Sequence, residues 1–214
     1  MLQAMRKHAR FFYVLFFIVI LSFIFWGVGT VDKTTSVPVA EVGKEKISIE
    51  EYWASYDRAR EFYRNITKGA FTEEMEKQLN LKQKILDSLI DDTVLLVEAG
   101  KIGIKVSDAE LEESVTNDPA FMRDGKFNNE VYLRTLQLNR MTPEYFESLK
   151  RKELLLAKMR GLIGESVDLS NETASAPAEQ RSALLAQLRD KAIKSYVEGL
   201  KKQIKIKVNQ QLIS

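Results

Sequence analysis

The chain has no cysteine, one histidine (His8) and four prolines. Without thiols there are no disulfides, no thiolate metal sites and no cysteine nucleophile. With His8 at the extreme amino terminus, any chemistry in the remaining residues must proceed without imidazole. No net charge of either sign dominates. Of 32 basic and 30 acidic residues, the basic Arg6, Lys7 and Arg10 precede the first long apolar run, which leaves the rest nearly neutral and alternating in sign outside Lys201, Lys202, Lys205 and Lys207. Nucleic acid as a partner is therefore discounted, because a nucleic-acid binder concentrates its cations on a stripe. There is no nucleotide motif, and no cofactor or metal is implied.

The feature that stands out is the apolar run from Phe11 to Val31. About 20 helical residues span roughly 30 Å, the thickness of the hydrocarbon core of a bilayer. With Arg6, Lys7 and Arg10 before the run, the positive-inside tendency places residues 1–10 in the cytoplasm and residues 32–214 outside. The expectation is a single-pass protein of a bacterial inner membrane, in contact with its lipid, with its main domain in the periplasm. The alternative is a cleaved signal peptide. Against it, the run exceeds a signal core, and Ala40 has Pro38 where a second small residue is wanted.

Beyond the anchor, Val37–Val42 and Glu45–Ile49 bracket Gly43-Lys44 and predict a hairpin. Ser48 and Glu51 form a capping box for a first helix with an aromatic face of Tyr52, Trp53, Tyr56 and Tyr63. A long second helix is expected from Thr72 to Gly100 or Gly103, and a capped third from Ser107 to the Asn117-Asp118-Pro119 breaker. Asp124-Gly125 marks a turn, Asn128 caps a fourth helix, and Thr142-Pro143 opens a fifth ending near Leu162, with Gly161 and Gly164 as its terminators. The small, polar residues 164–178 read as a linker. A returning helix over residues 179–201 is expected to turn Leu185, Leu188, Ala192, Tyr196 and Leu200 inward. Ile204, Ile206 and Val208 then alternate with lysines as a half-buried strand, expected to pair with the hairpin and close a small antiparallel sheet.

Arg6-Lys7-His8-Ala9-Arg10, Val39-Ala40-Glu41-Val42-Gly43 with Ile47-Ser48, and Ile85-Leu86-Asp87-Ser88-Leu89-Ile90-Asp91 resemble the PpiD and SurA family of periplasmic folding factors. So do Gly103-Ile104-Lys105-Val106-Ser107-Asp108-Ala109-Glu110-Leu111, the loop Phe121-Met122-Arg123-Asp124-Gly125-Lys126-Phe127, and Tyr132. The resemblance implies a mainly α fold: a transmembrane helix over 11–31, a helical chaperone domain of the SurA N-terminal type over 37–163, and a returning helix and strand over 179–214 that complete it. Members usually carry parvulin-type prolyl isomerase domains where this chain has only the linker 164–178. No catalytic residue is carried over, and no isomerase activity is expected beyond what the family name suggests.

The expected function is a membrane-tethered holdase for unfolded or nascent secreted and outer-membrane proteins. Its apolar cradle would be lined by Tyr52, Trp53, Tyr56 and Tyr63 on one wall and by Phe121, Met122, Phe127, Tyr132, Met141, Tyr145 and Phe146 on the other. Aromatics at helical spacing serve equally as core. A structural adaptor docking one fixed partner, such as the Sec translocon, is the alternative function. The flexible linker also permits two chains to exchange their returning segments as a swapped homodimer.

Overall fold

The computed structural model describes residues 37–168 and 178–213; the expected anchor at 11–31, the tail expected to be cytoplasmic and most of the expected linker at 164–178 lie outside them. Among the described residues no helix is long and apolar enough to cross a membrane.

Strands β1 (Ala40–Val42) and β2 (Glu45–Ile47) form the expected antiparallel hairpin, with Gly43 supplying the left-handed turn at φ +63°. Near the far end of the chain, β5 (Ile206–Val208) pairs antiparallel with the other side of β1, Val42 opposite Ile206 and Ala40 opposite Val208. The sheet order β2-β1-β5 is the closure that the alternating Ile204, Ile206 and Val208 predicted. Lys207 and Glu41 face each other across the pair at 3.0 Å.

Helix α1 (Ile49–Ile66) starts where Ser48 Oγ accepts the Glu51 N–H at 3.1 Å. The expected single helix after Thr72 is two, α2 (Glu73–Leu79) and α3 (Leu81–Ile102). Asn80 separates them in the left-handed region at φ +49°, a conformation asparagine tolerates better than most residues. The break redirects the chain, so that Leu81 and Leu86 enter the core while no α2 side chain is buried. Seven α-helices result among the described residues, where six were expected.

Helix α4 (Asp108–Thr116) has both arms of the capping box: Ser107 Oγ accepts the Glu110 N–H and the Glu110 carboxylate accepts the Ser107 N–H. A 3-10 turn (Pro119–Phe121) leads into a miniature hairpin, β3 (Met122–Arg123) and β4 (Lys126–Phe127). Its two-residue turn has Asp124 and Gly125 both at positive φ, as the twist of a tight hairpin demands. Helix α5 (Asn129–Leu138) is capped by Asn128, whose Oδ1 accepts the Val131 N–H at 3.0 Å.

Helix α6 (Pro143–Asp168) runs past Leu162, so Gly161 and Gly164 lie inside it rather than ending it. Gly164 is buried where a Cβ would touch the aliphatic stem of Arg189 at 3.4 Å, so its small size serves close approach to α7 (Ala178–Lys201). On α7 the inward face is Ile193, Val197 and Leu200; Tyr196, expected inward, is exposed. One residue along a helix turns the side chain by about 100°, enough to exchange core for solvent.

Two cores follow. The larger combines the sheet with α1, α3, α6 and α7 around Val39, Val42, Ile47, Leu86, Val94, Leu95 and Met159. Ion pairs stitch its helices: Asp91 to Lys201 of α7 and Asp92 to Arg160 of α6, each at 2.5 Å. These adjacent acids serve different helices, and burial pushes the Asp92 carboxyl up despite Arg160. The smaller core holds Val106, Leu111, Val115, Phe121, Tyr132 and Leu136, with Leu155 of α6 packed against both clusters.

Lys158 of α6 grips Glu110 of α4 at 2.5 Å, and this contact with the Ser107 hydrogen bonds holds the Glu110 carboxyl down to about 2. A carboxyl lowered by folding contributes stability above its ordinary value of 4.5 that is lost as pH falls toward about 2. Carbon-13 NMR titration is expected to place Glu110 near 2, and Glu110→Gln to remove that part of the acid dependence.

Candidate functional site

The proposed wall on α1 is largely structural. Tyr52 is 0% exposed, and its hydroxyl donates to the Lys82 carbonyl at 3.2 Å. Tyr56, one helical turn on, is buried and donates to Glu76 of α2; burial first, then Glu76, pushes its phenol up to about 12. Half-buried Trp53 meets both rings edge-on, at 5.1 and 5.3 Å, with the Lys82 ammonium 5.8 Å from its centroid. These three fasten α1 to α3 and α2, so Tyr52 and Tyr56 are not open to a partner in this conformation. Tyr63 is half-buried, stacked on Phe71 at 5.2 Å.

The second wall divides in the same way. Phe121 is 3% exposed and meets Tyr132 and Phe146 edge-on at 5.0 and 5.4 Å. Tyr132 is buried as well, and Met141 and Phe146 pack against the smaller core. Asp118 causes this: its carboxylate accepts the Ala120 N–H, and the 3-10 turn it caps folds Phe121 inward. Met122 is half-buried, while Phe127 and Tyr145 (55% exposed) face solvent. Tyr52 and Trp53 belong to the larger apolar cluster and Phe121, Tyr132, Met141 and Phe146 to the smaller, and among the described residues no ring of one wall meets a ring of the other.

Uncovered apolar surface also lies outside the two walls. Beyond Tyr56, α1 has no buried residue; Phe62 and Ile66, four apart on one face, are 60% and 59% exposed. Phe62 sits edge-on to Tyr63, whose stacked partner Phe71 precedes α2, and exposed Met75 lies on α2 itself. Phe127 and Tyr145 are exposed as well, as are Leu133 and Leu138 of α5. The signal for the first patch was available as an i, i+4 apolar pair beside Arg58, Arg60, Glu61 and Arg64.

A groove of about 780 Å³ occupies the turn end of the sheet. Leu96 and Val97 of α3 and Ile204 supply apolar lining, the Gly43–Lys46 turn one side, and Lys101 and Lys152 another. Among the described residues no three histidine, aspartate or glutamate side chains converge as a metal ion would require.

Comparison with known proteins agrees with this architecture. Periplasmic chaperone PpiD of Haemophilus ducreyi is 28% identical over 170 residues, covering 75% of this chain and 26% of the relative. Periplasmic chaperone PpiD of Escherichia coli K12 is 27% identical over 181 residues, 82% of this chain and 28% of the relative. Foldase protein PrsA of Caldanaerobacter subterraneus subsp. tengcongensis is 26% identical over 175 residues, 76% of this chain and 56% of the relative. The chain thus spans about a quarter of the length of these PpiD relatives. The model of the SurA-like N-terminal domain matches residues 1–160, most of the chain and every element from β1 to the greater part of α6. With that match, and a sheet and helices in the order the resemblance implied, the chain belongs to the SurA-like N-terminal domain family.

Proposed function

We propose that this chain is a non-enzymatic folding chaperone of the bacterial envelope, tethered by residues 11–31 and holding unfolded clients on its periplasmic side. The observation that carries the reading is the apolar tip of α1, where Phe62 and Ile66 stand uncovered beside the Tyr63 and Phe71 stack. A rigid core leaves these side chains free, and such patches accept many sequences because their contacts are nondirectional. Exposed Phe127, Leu133, Leu138 and Tyr145 offer further apolar contacts. Burying loose segments against their ordering cost makes each hold weak, so release needs no nucleotide. Tethering would raise the local concentration where chains emerge from the translocon.

The test is suppression of aggregation of two unrelated denatured proteins by the purified full chain in detergent. Phe62→Ser with Ile66→Ser is expected to weaken apparent client affinity about tenfold. The melting temperature should hold, because exposed positions contribute little to stability. Folded protein that suppresses neither aggregation would overturn the reading in favour of an adaptor for one fixed partner.

A further inference from the structure

The groove at the turn end of the sheet has an uneven charge. Five lysines line it, Lys44, Lys46, Lys101, Lys152 and Lys205, against two carboxylates, Glu45 and Glu51. Lys101 is paired with Glu98 at 3.3 Å. Lys46 and Lys205 share the field of Glu41, whose carboxylate is already engaged by Lys207. Lys44 and Lys152 are exposed and have no ion-pair partner among the described residues. The space is therefore cationic at its rim and apolar where Leu96, Val97 and Ile204 line it.

Backbone geometry adds a preference for shape. The sheet order makes β2 an edge strand, and its residues Glu45 and Lys46 border the groove. Alternate backbone groups of an edge strand point away from its neighbour and can pair with an extended chain. An extended segment also places alternate side chains on opposite faces, one for the apolar lining and one for the lysines.

We propose that this groove binds an extended acidic polypeptide segment in which glutamate or aspartate alternates with aliphatic residues. That the segment belongs to an unfolded client rests on the chaperone reading; the charge preference does not. It would make the protein selective for acidic stretches, in addition to the unselective apolar tip of α1.

The experiment is fluorescence anisotropy on the full chain in neutral detergent, with two labelled heptapeptides sharing alternate leucine and valine, one interleaved with glutamate and one with lysine. The glutamate peptide is expected to bind about tenfold more tightly at low salt, since several exposed pairs contribute modestly each. That preference should shrink once salt cuts the screening length well below about 10 Å. Lys44→Glu with Lys152→Glu should abolish it without moving the melting temperature. Equal binding of the two peptides, or a preference that survives the double substitution, overturns the proposal. So does binding of phosphatidylglycerol vesicles, lost in the same variant, without binding of the peptide. Aggregation assays on the same preparations separate the two readings. Suppression without peptide preference keeps the chaperone and overturns the groove; peptide preference without suppression supports the groove and removes the chaperone.

Discussion

Phe121→Ala is expected to destabilise the smaller core by about 3–5 kcal/mol, the usual cost of emptying a buried phenylalanine site. Phe121 is almost fully covered, and its ring meets Tyr132 and Phe146 edge-on, contacts worth roughly 0.5–1.5 kcal/mol beyond the area buried. Among the described residues only Leu155 packs against both clusters, so the damage should stay local. Hydrogen exchange should quicken across α4, the β3–β4 hairpin and α5, while β1, α3 and the second half of α6 keep their protection. In a melting experiment the corresponding fall is about 10 °C. A variant that melts like the parent and loses client binding would instead make Phe121 a contact surface, contrary to its burial.

Deleting residues 204–214 is expected to abolish cooperative folding of the larger core. The segment contributes β5, buried Ile213, and partly buried Ile204, Ile206 and Leu212. A fully buried aliphatic side chain stabilises by about 1.5–3 kcal/mol and a partly buried one by less, so together they make up a sizeable share of the roughly 5–15 kcal/mol by which a domain is stable at all. The deletion also strips one side of β1, leaving the Gly43 N–H without the Lys205 carbonyl and the Val39 carbonyl without the Asn209 N–H. Exposed edges of that kind favour association with other chains. The expected observation is loss of a sigmoidal thermal transition, with increased binding of a hydrophobic dye. A truncated chain that still melts cooperatively within a few degrees of the parent would show the sheet to be dispensable.

Caps and alternation were legible in the sequence because each is decided within a few residues. Ser48, Ser107, Asn128 and Thr142 each accept the N–H three residues on, a contact needing nothing from elsewhere in the chain. The turn at Asp124-Gly125 was visible for the same reason, although the two short strands it joins were not. Pairing of β5 with the hairpin is a long-range contact, yet few strand candidates existed to satisfy its backbone. The break at Asn80 was hidden because Met75, Leu79 and Leu86 keep a helical spacing across it, and nothing local shows that α2 finds no core to enter.

The candidate surface divided along the same line. Its residue types were visible, as aromatic and methionine side chains in and near loops, but their burial was not. Phe121 and Tyr132 go inward and Phe127 and Tyr145 outward because α6 covers one pair and nothing among the described residues covers the other to the same degree. The groove joins Lys44, Val97, Lys152 and Lys205, which no short motif links. Sequence alone determined the local geometry, the helix boundaries set by caps, the apolar run at 11–31 and the strand that closes the sheet, because hydrogen bonds and periodicity over a few residues carry that information. Only the tertiary structure decided which apolar side chains are core and which are surface, because exposure depends on what distant segments of the chain come to lie over them.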